Sequence, residues 1–188
     1  MKGIHITGAS GSGVTTLGRA LAKRLGAAQL DTDDFYWLPT DPPFRERRAP
    51  AERVEMLERA FAAADQGWVL SGSLDGWGDV LVPHFSKVVF VHTPHEVRMA
   101  RLLAREKTRY GAAIQPGGAM YDQHLDFVDW AGSYDRSDRP GRSLARHQAW
   151  LSTLPCPVLR LDGRLSVDML VEAAANTVAA TRGLGPTT

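Results

Sequence analysis

The chain has 188 residues, 44% of them hydrophobic and 23% charged, a composition that places it with compact globular proteins and excludes the disordered class. With 22 basic and 21 acidic side chains the formal net charge is +1, so the charge balance gives no reason to expect a general nucleic-acid or membrane-surface binder. At ~100–200 residues per domain, the length predicts one domain able to bury its own core without a disulfide or structural metal. Cys156 is the single cysteine, and no Cys/His cluster has zinc spacing. No apolar run reaches ~18 residues. The start Met1-Lys2-Gly3-Ile4 lacks a signal-peptide core, so a cytoplasmic location is expected.

In chain order, residues 4–7 read as a buried, β-branched first strand, followed by a glycine-rich turn from Gly8 to Gly13. Val14, Leu17, Leu21 and Leu25 then recur at helical spacing up to Gly26, a natural helix stop. Residues 28–30 form a second strand running into Asp31-Thr32-Asp33-Asp34, and residues 39–43 a proline-broken loop. Residues 51–64 present Val54, Leu57 and Phe61 on one helix face. Residues 68–70 and 87–92 are the third and fourth strands, with Ser71-Gly72-Ser73 as a small-residue turn after the third. Thr93-Pro94-His95-Glu96 fits a capping box. The helix it predicts carries Arg98, Arg101, Arg105 and Arg109 on one stripe, with Val97, Met99, Ala100 and Leu103 opposite. Residues 110–142 read as an irregular excursion, 143–151 as a short helix, 158–161 as a fifth strand and 167–180 as a final amphipathic helix, before a frayed tail at 183–188.

Strands alternating with helices predict a parallel sheet covered on both faces, with ligands outside the carboxyl ends of the strands. Three features stand at those ends: the glycine turn after the first strand, the aspartates after the second and Ser71-Gly72-Ser73 after the third. Gly8-Ala9-Ser10-Gly11-Ser12-Gly13-Val14-Thr15-Thr16 matches the phosphate-loop pattern G-x-x-x-x-G-K-[ST] at Gly8, Gly13 and Thr15. Backbone N–H groups of such a loop curl around an anion, and Thr15 offers a hydroxyl to Mg²⁺. Val14 stands where the pattern has lysine; losing a charge-assisted hydrogen bond weakens binding about ten- to 150-fold. The alternative for the loop is a turn that serves only strand-to-helix packing.

Asp31-Thr32-Asp33 crowds carboxylates that repel one another unless a cation joins them. Asp33 is the expected functional one, as metal ligand or proton acceptor; a helix cap is the other reading. The arginine stripe is either a solvated face or a source of charge for phosphoryl transfer, with Arg105 and Arg109 nearest the excursion. Arg45, Arg47, Arg48 and Arg53 are further candidates for an anionic acceptor. Trp37, Trp77, Trp130 and Tyr134 suit base stacking or the core, and Ser71 and Ser73 suit acceptor contacts or a tight turn.

These motifs resemble the P-loop small-molecule and nucleoside monophosphate kinases, among them the adenylate, cytidylate, shikimate and gluconate kinases. The carriers are Gly8 to Thr16, Asp31-Thr32-Asp33, Trp68 to Gly72, and the helix with Arg101-Leu102-Leu103-Ala104-Arg105. The resemblance implies an α/β, three-layer P-loop NTPase fold over residues 1–182. Its sheet would have about five parallel strands in the order 2-3-1-4-5, with an acceptor-binding part near 35–65 and a lid near 105–142. It implies ATP and Mg²⁺ as cofactors, a small-molecule acceptor, no membrane or nucleic-acid partner, and a monomer or homodimer. Gly8, Ala9, Ser10, Gly11, Ser12, Gly13, Val14, Thr15, Thr16, Arg101 and Arg105 are expected at the nucleotide, Thr15 and Asp33 at the metal, and Asp33, Arg105 and Arg109 in catalysis. Ser71 stands where adenylate kinases carry aspartate. The expected activity is phosphoryl transfer, most readily to a nucleotide. The alternatives are a nucleotide-binding sensor with little catalysis, or a metabolite kinase of shikimate or gluconate type.

Overall fold

A computed structural model describes residues 3–136 and 141–182. The tail at 183–188 and residues 137–140 of the expected lid lie outside the described residues. Five strands, β1 (Gly3–Gly8), β2 (Ala28–Asp31), β3 (Trp68–Ser71), β4 (Phe85–His92) and β5 (Val158–Asp162), pair in the order β2-β3-β1-β4-β5. Every pairing is parallel, as the alternation of strand and helix requires. The fold is thus the three-layer α/β arrangement expected.

Side chains alternate across the sheet with period two, and each face has its own core. Ile4, Ile6, Val69, Val89 and Val91 face Leu17 and Leu21 of α1 (Val14–Leu25) and Leu170 and Ala174 of α7 (Val167–Arg182). On the other face Trp68, Leu70, Val88 and Phe90 meet Leu57 and Phe61 of α3 (Pro50–Ala62) and Leu151 of α6 (Leu144–Thr153). The Phe61 and Trp68 rings stack at 3.8 Å between centroids. Apolar burial on both faces is what makes these strands read as continuous hydrophobic runs.

Three local expectations give way to tertiary structure. The capping box does not form: α4 (His95–Tyr110) begins after Pro94 with no side-chain cap, and the Thr93 hydroxyl donates instead to the Ser12 carbonyl at 3.3 Å. The arginine stripe is not one solvated face, because Arg98, Leu102 and Glu106 are the buried positions of α4 while Leu103 is exposed. Residues 110–142 are not irregular: a 3₁₀ turn at Gly111–Ile114, α5 (Tyr121–Gly132) and a second 3₁₀ turn at Ser133–Asp135 occupy the described part. The acidic cluster also folds into a short helix, α2 (Thr32–Tyr36).

Candidate active site

The glycine loop leaves β1 at Gly8 and enters α1 at Val14. Gly11 and Gly13 take φ of 80° and 92°, the left-handed region that a side chain disfavours. Space over Gly13 is open: a Cβ placed there would meet nothing within 4 Å. No acidic residue sits in the first turn of α1, so the unpaired N–H groups and helix dipole are left for an anion. Ser12 Oγ is buried there without a partner. The Val14 side chain packs on the core beside β1, and the loop itself holds no cation.

Across from the loop, Thr15 Oγ1 donates to Asp31 Oδ2 at 2.9 Å, while Asp31 Oδ1 accepts from the Asp33 backbone N–H at 3.1 Å and caps α2. The structure thus brings Asp31 to Thr15, where Asp33 was expected. Hydroxyl and carboxylate oxygens suit Mg²⁺. Among the described residues no group of three His, Cys, Asp or Glu side chains is placed to hold a metal, so a cation here needs substrate oxygens and water as well. That donor set fits Mg²⁺ carried by a nucleotide.

Asp33 follows on α2, accessible over part of its surface but with its carboxyl set among other groups. Burial of its carboxyl among neighbouring groups raises its pKa above the ordinary carboxylate value, and the Asp31 charge raises it further; the charge of Arg142 and the Trp37 side chain oppose the rise. Arg142 Nη2 donates to Ser10 Oγ at 2.7 Å, and its guanidinium lies 4.8 Å from the centroid of the Trp130 ring. Beside it, Tyr134 Oη and His147 Nδ1 are 2.7 Å apart. Burial lowers the His147 pKa to about 3 and raises that of Tyr134, so both groups are neutral at pH 7 and share one hydrogen bond.

The four arginines of α4 divide. Arg98 is wholly buried, pairs with Asp135 and donates to the Ala131 carbonyl at 2.7 Å, fastening α4 to α5. Arg101 donates to the Gly163 carbonyl at 2.8 Å, holding the turn after β5. Arg105 is exposed and pairs with Glu106, and exposed Arg109 lies beside the Tyr110 ring. Leu102, between Arg101 and Arg105, lies against Gly11 of the loop. Thr16 is exposed on α1.

On the other side of Asp33, Tyr36, Trp37, Phe44 and Trp77 form an aromatic wall, with the Arg53 guanidinium 3.8 Å from the Tyr36 centroid. Arg45 donates to the Ala119 carbonyl at 3.3 Å and Gln123 to the Pro43 carbonyl at 2.9 Å, so the segment before α3 touches the start of α5 and the residues just before it. Ser71 turns away, buried under Gly18 of α1, and Ser73 is held by Thr32 and Asp75 in a turn. Trp130 and Tyr134 engage Arg142, Arg98 and His147. Arg142 was not singled out by sequence reasoning. Its signal was faint: one arginine after Pro140-Gly141, with no period or motif around it.

A parallel 2-3-1-4-5 sheet, a glycine loop after β1 and a Thr/Asp pair at its mouth define a P-loop kinase-type protein. Residues 4–118 match the protein family described as AAA domain. Over 171 residues the chain is 43% identical to the uncharacterized protein YqaC of Bacillus subtilis, covering 91% of this chain and 94% of that protein. It is 31% identical over 173 residues to a shikimate kinase of Thermosynechococcus vestitus, covering 81% and 90% respectively. Among solved structures, a shikimate kinase from Bacteroides thetaiotaomicron superposes with a TM-score of 0.54 at 18% identity, over 95% of this chain and 98% of that one. A gluconokinase from Sinorhizobium meliloti gives 0.52 at 17% identity, over 96% and 93%. The chain belongs to the P-loop small-molecule kinase family. No helix among the described residues is long and apolar enough to cross a membrane.

Proposed function

We propose that the protein is an ATP- and Mg²⁺-dependent kinase that phosphorylates a hydroxyl group of a small metabolite. The observation that carries this reading is Asp33, a carboxylate with a raised pKa one residue pair away from the Thr15–Asp31 contact. A hydroxyl acceptor must lose a proton as it attacks, and a carboxylate whose proton affinity is raised above the ordinary serves that purpose. A nucleoside monophosphate is already anionic, needs no base, and is repelled by Asp31, Asp33 and Asp34. The nucleotide acceptor expected from the sequence is therefore the less favoured of the two, and the shikimate kinase relative points the same way.

Loop residues Gly8 to Thr15 hold the donor phosphates through backbone N–H groups, with Arg101 and Arg105 of α4 on the flank. Thr15 and Asp31 hold Mg²⁺, which supplies charge neutralisation at the phosphates when bound. Asp33 accepts the hydroxyl proton as the new oxygen–phosphorus bond forms and the bond to the bridging oxygen of ADP breaks. The aromatic wall and Arg53 receive the acceptor, and the α5 segment covers it as a lid, excluding water. Arg109 lies at the base of that lid.

Val14 supports a second reading, a nucleotide-binding protein with little catalysis. Release of ADP from ATP should be measured with shikimate, sugar acids, polyols, nucleosides and nucleoside monophosphates in turn. Stimulation by a hydroxylated metabolite is expected. Stimulation by monophosphates alone would restore the nucleotide reading, and tight MgATP binding with no stimulated turnover would favour the sensor.

A further inference from the structure

The phosphate loop lacks the lysine of its pattern, and Val14, in that place, packs on the core. Nothing in the first turn of α1 compensates, since residues 14–17 carry no basic side chain. One guanidinium among the described residues nevertheless reaches the loop. Arg142 lies 132 residues further along the chain and touches Ser10 Oγ through Nη2 at 2.7 Å. The face of Trp130 supports it from one side, which holds the planar group at small entropic cost.

Two features mark Arg142 as more than a structural clasp. Its Nε is buried with no hydrogen-bond partner, and among the described residues no carboxylate forms an ion pair with it. A half-buried guanidinium whose Nε is sealed from water without an acceptor is costly unless an anion arrives to take its donors. Its position is also specific: it contacts the donor loop at Ser10, and its charge is felt at Asp33, the candidate base. Arg98 also buries an unpartnered Nε, but its charge is met by Asp135 and its Nη1 by the Ala131 carbonyl, and it makes no side-chain contact with the loop.

We propose that Arg142 supplies, from across the fold, the cation that the loop lacks: it leaves Ser10 and grips the outer phosphates of the bound nucleoside triphosphate. The inference rests on the kinase reading above. An arginine fork pairs two phosphate oxygens at once, so one residue replaces the point charge of a lysine.

The test is binding of MgATP and AMP, by calorimetric titration, to wild type, Arg142→Ala, Arg142→Lys and the double variant Val14→Lys/Arg142→Ala, each checked by thermal melting. Arg142→Ala is expected to weaken MgATP binding about 10–100-fold and AMP binding less than about twofold. Arg142→Lys should recover part of the loss, and Val14→Lys in the Arg142→Ala background most of it. Wild-type MgATP affinity in Arg142→Ala together with a raised KM for the acceptor would overturn the inference, assigning Arg142 to the acceptor. A double variant no tighter than Arg142→Ala would also overturn it. If wild type itself bound no MgATP, the kinase reading would fall first, so the two failures are separable.

Discussion

Thr15 Oγ1 donates a 2.9 Å hydrogen bond to Asp31 Oδ2, joining the first turn of α1 to the end of β2. On the proposed reading, donor and acceptor halves of the site meet at this contact, which would reserve two hard oxygen ligands for one cation. Asp31→Asn keeps the shape and the α2 cap, since asparagine caps as well as aspartate. It removes the anion. The Mg²⁺ concentration for half-maximal MgATP binding should rise about 10–100-fold, with little change in melting temperature.

Asp33→Asn separates catalysis from stability. Turnover should fall about 10²–10⁴-fold, the usual loss for a general base. Stability should not fall. The folded-state pKa of Asp33 is raised above its unfolded value of 3.8, so the native state is destabilised as pH climbs through that value and stays so above it. Asparagine removes this cost. Melting at pH 7 should therefore hold or rise in the variant, and the difference should vanish below the unfolded pKa.

How far the sequence carries this account depends on the range of each interaction. The loop, the five strands and the end of α1 at Gly26 are local patterns, and each was legible in its own residues. Arg142 was not, because its meaning depends on Ser10, 132 residues earlier. Arg98 looked like one more solvated charge because its partner Asp135 lies 37 positions away. Thr93 had every local reason to cap α4, yet the Ser12 carbonyl competes for its hydroxyl across the fold. The helices within 110–142 escaped notice because glycine, charge and aromatic residues there follow no clear period. Asp31 and Asp33 were recognised as a pair, and only the fold shows which one faces Thr15.

The Arg98–Asp135 pair gives a prediction of a different kind. Burial alone would raise the Asp135 pKa, but the hydrogen bond and charge of Arg98, with help from His95, hold it below the ordinary value. Its contribution to stability is present above the unfolded pKa and is lost as pH falls through the folded one. Asp135→Asn leaves the buried guanidinium without its counter-charge and should destabilise the protein by about 2–4 kcal/mol at pH 7 in chemical denaturation. MgATP affinity should stay unchanged at temperatures where the variant is folded. A loss of affinity with unchanged stability would instead place Arg98 among the phosphate ligands.

Gly18 lets α1 pack closely on the sheet: a Cβ there would lie 1.9 Å from Ser71 Oγ. Gly18→Ala should destabilise by about 1–3 kcal/mol despite the better helix propensity of alanine. Ser71→Gly in the same chain should recover much of that loss, giving a large coupling in a double-mutant cycle. Additive effects would mean the two elements are not in this contact.

Two histidines set the acid limb of stability. Burial lowers the His5 pKa to about 4, opposed by its contact with the Leu70 carbonyl, and lowers that of His147 to about 3. Between the ordinary value of 6.5 and these values the unfolded chain binds protons that the native chain does not, so stability falls as pH falls through this window. Melting temperature should drop steeply from pH 6.5 towards pH 4. His5→Leu should flatten that slope, and an equal slope in the variant would show that His5 is not buried neutral.

The most direct measurement is calorimetric titration of the wild-type protein with ATP, with Mg²⁺ present and with it chelated. A glycine cradle with an open mouth and hard oxygen ligands beside it predicts saturable, Mg²⁺-dependent heat at one site per chain. No saturable binding of ATP under either condition would contradict the account.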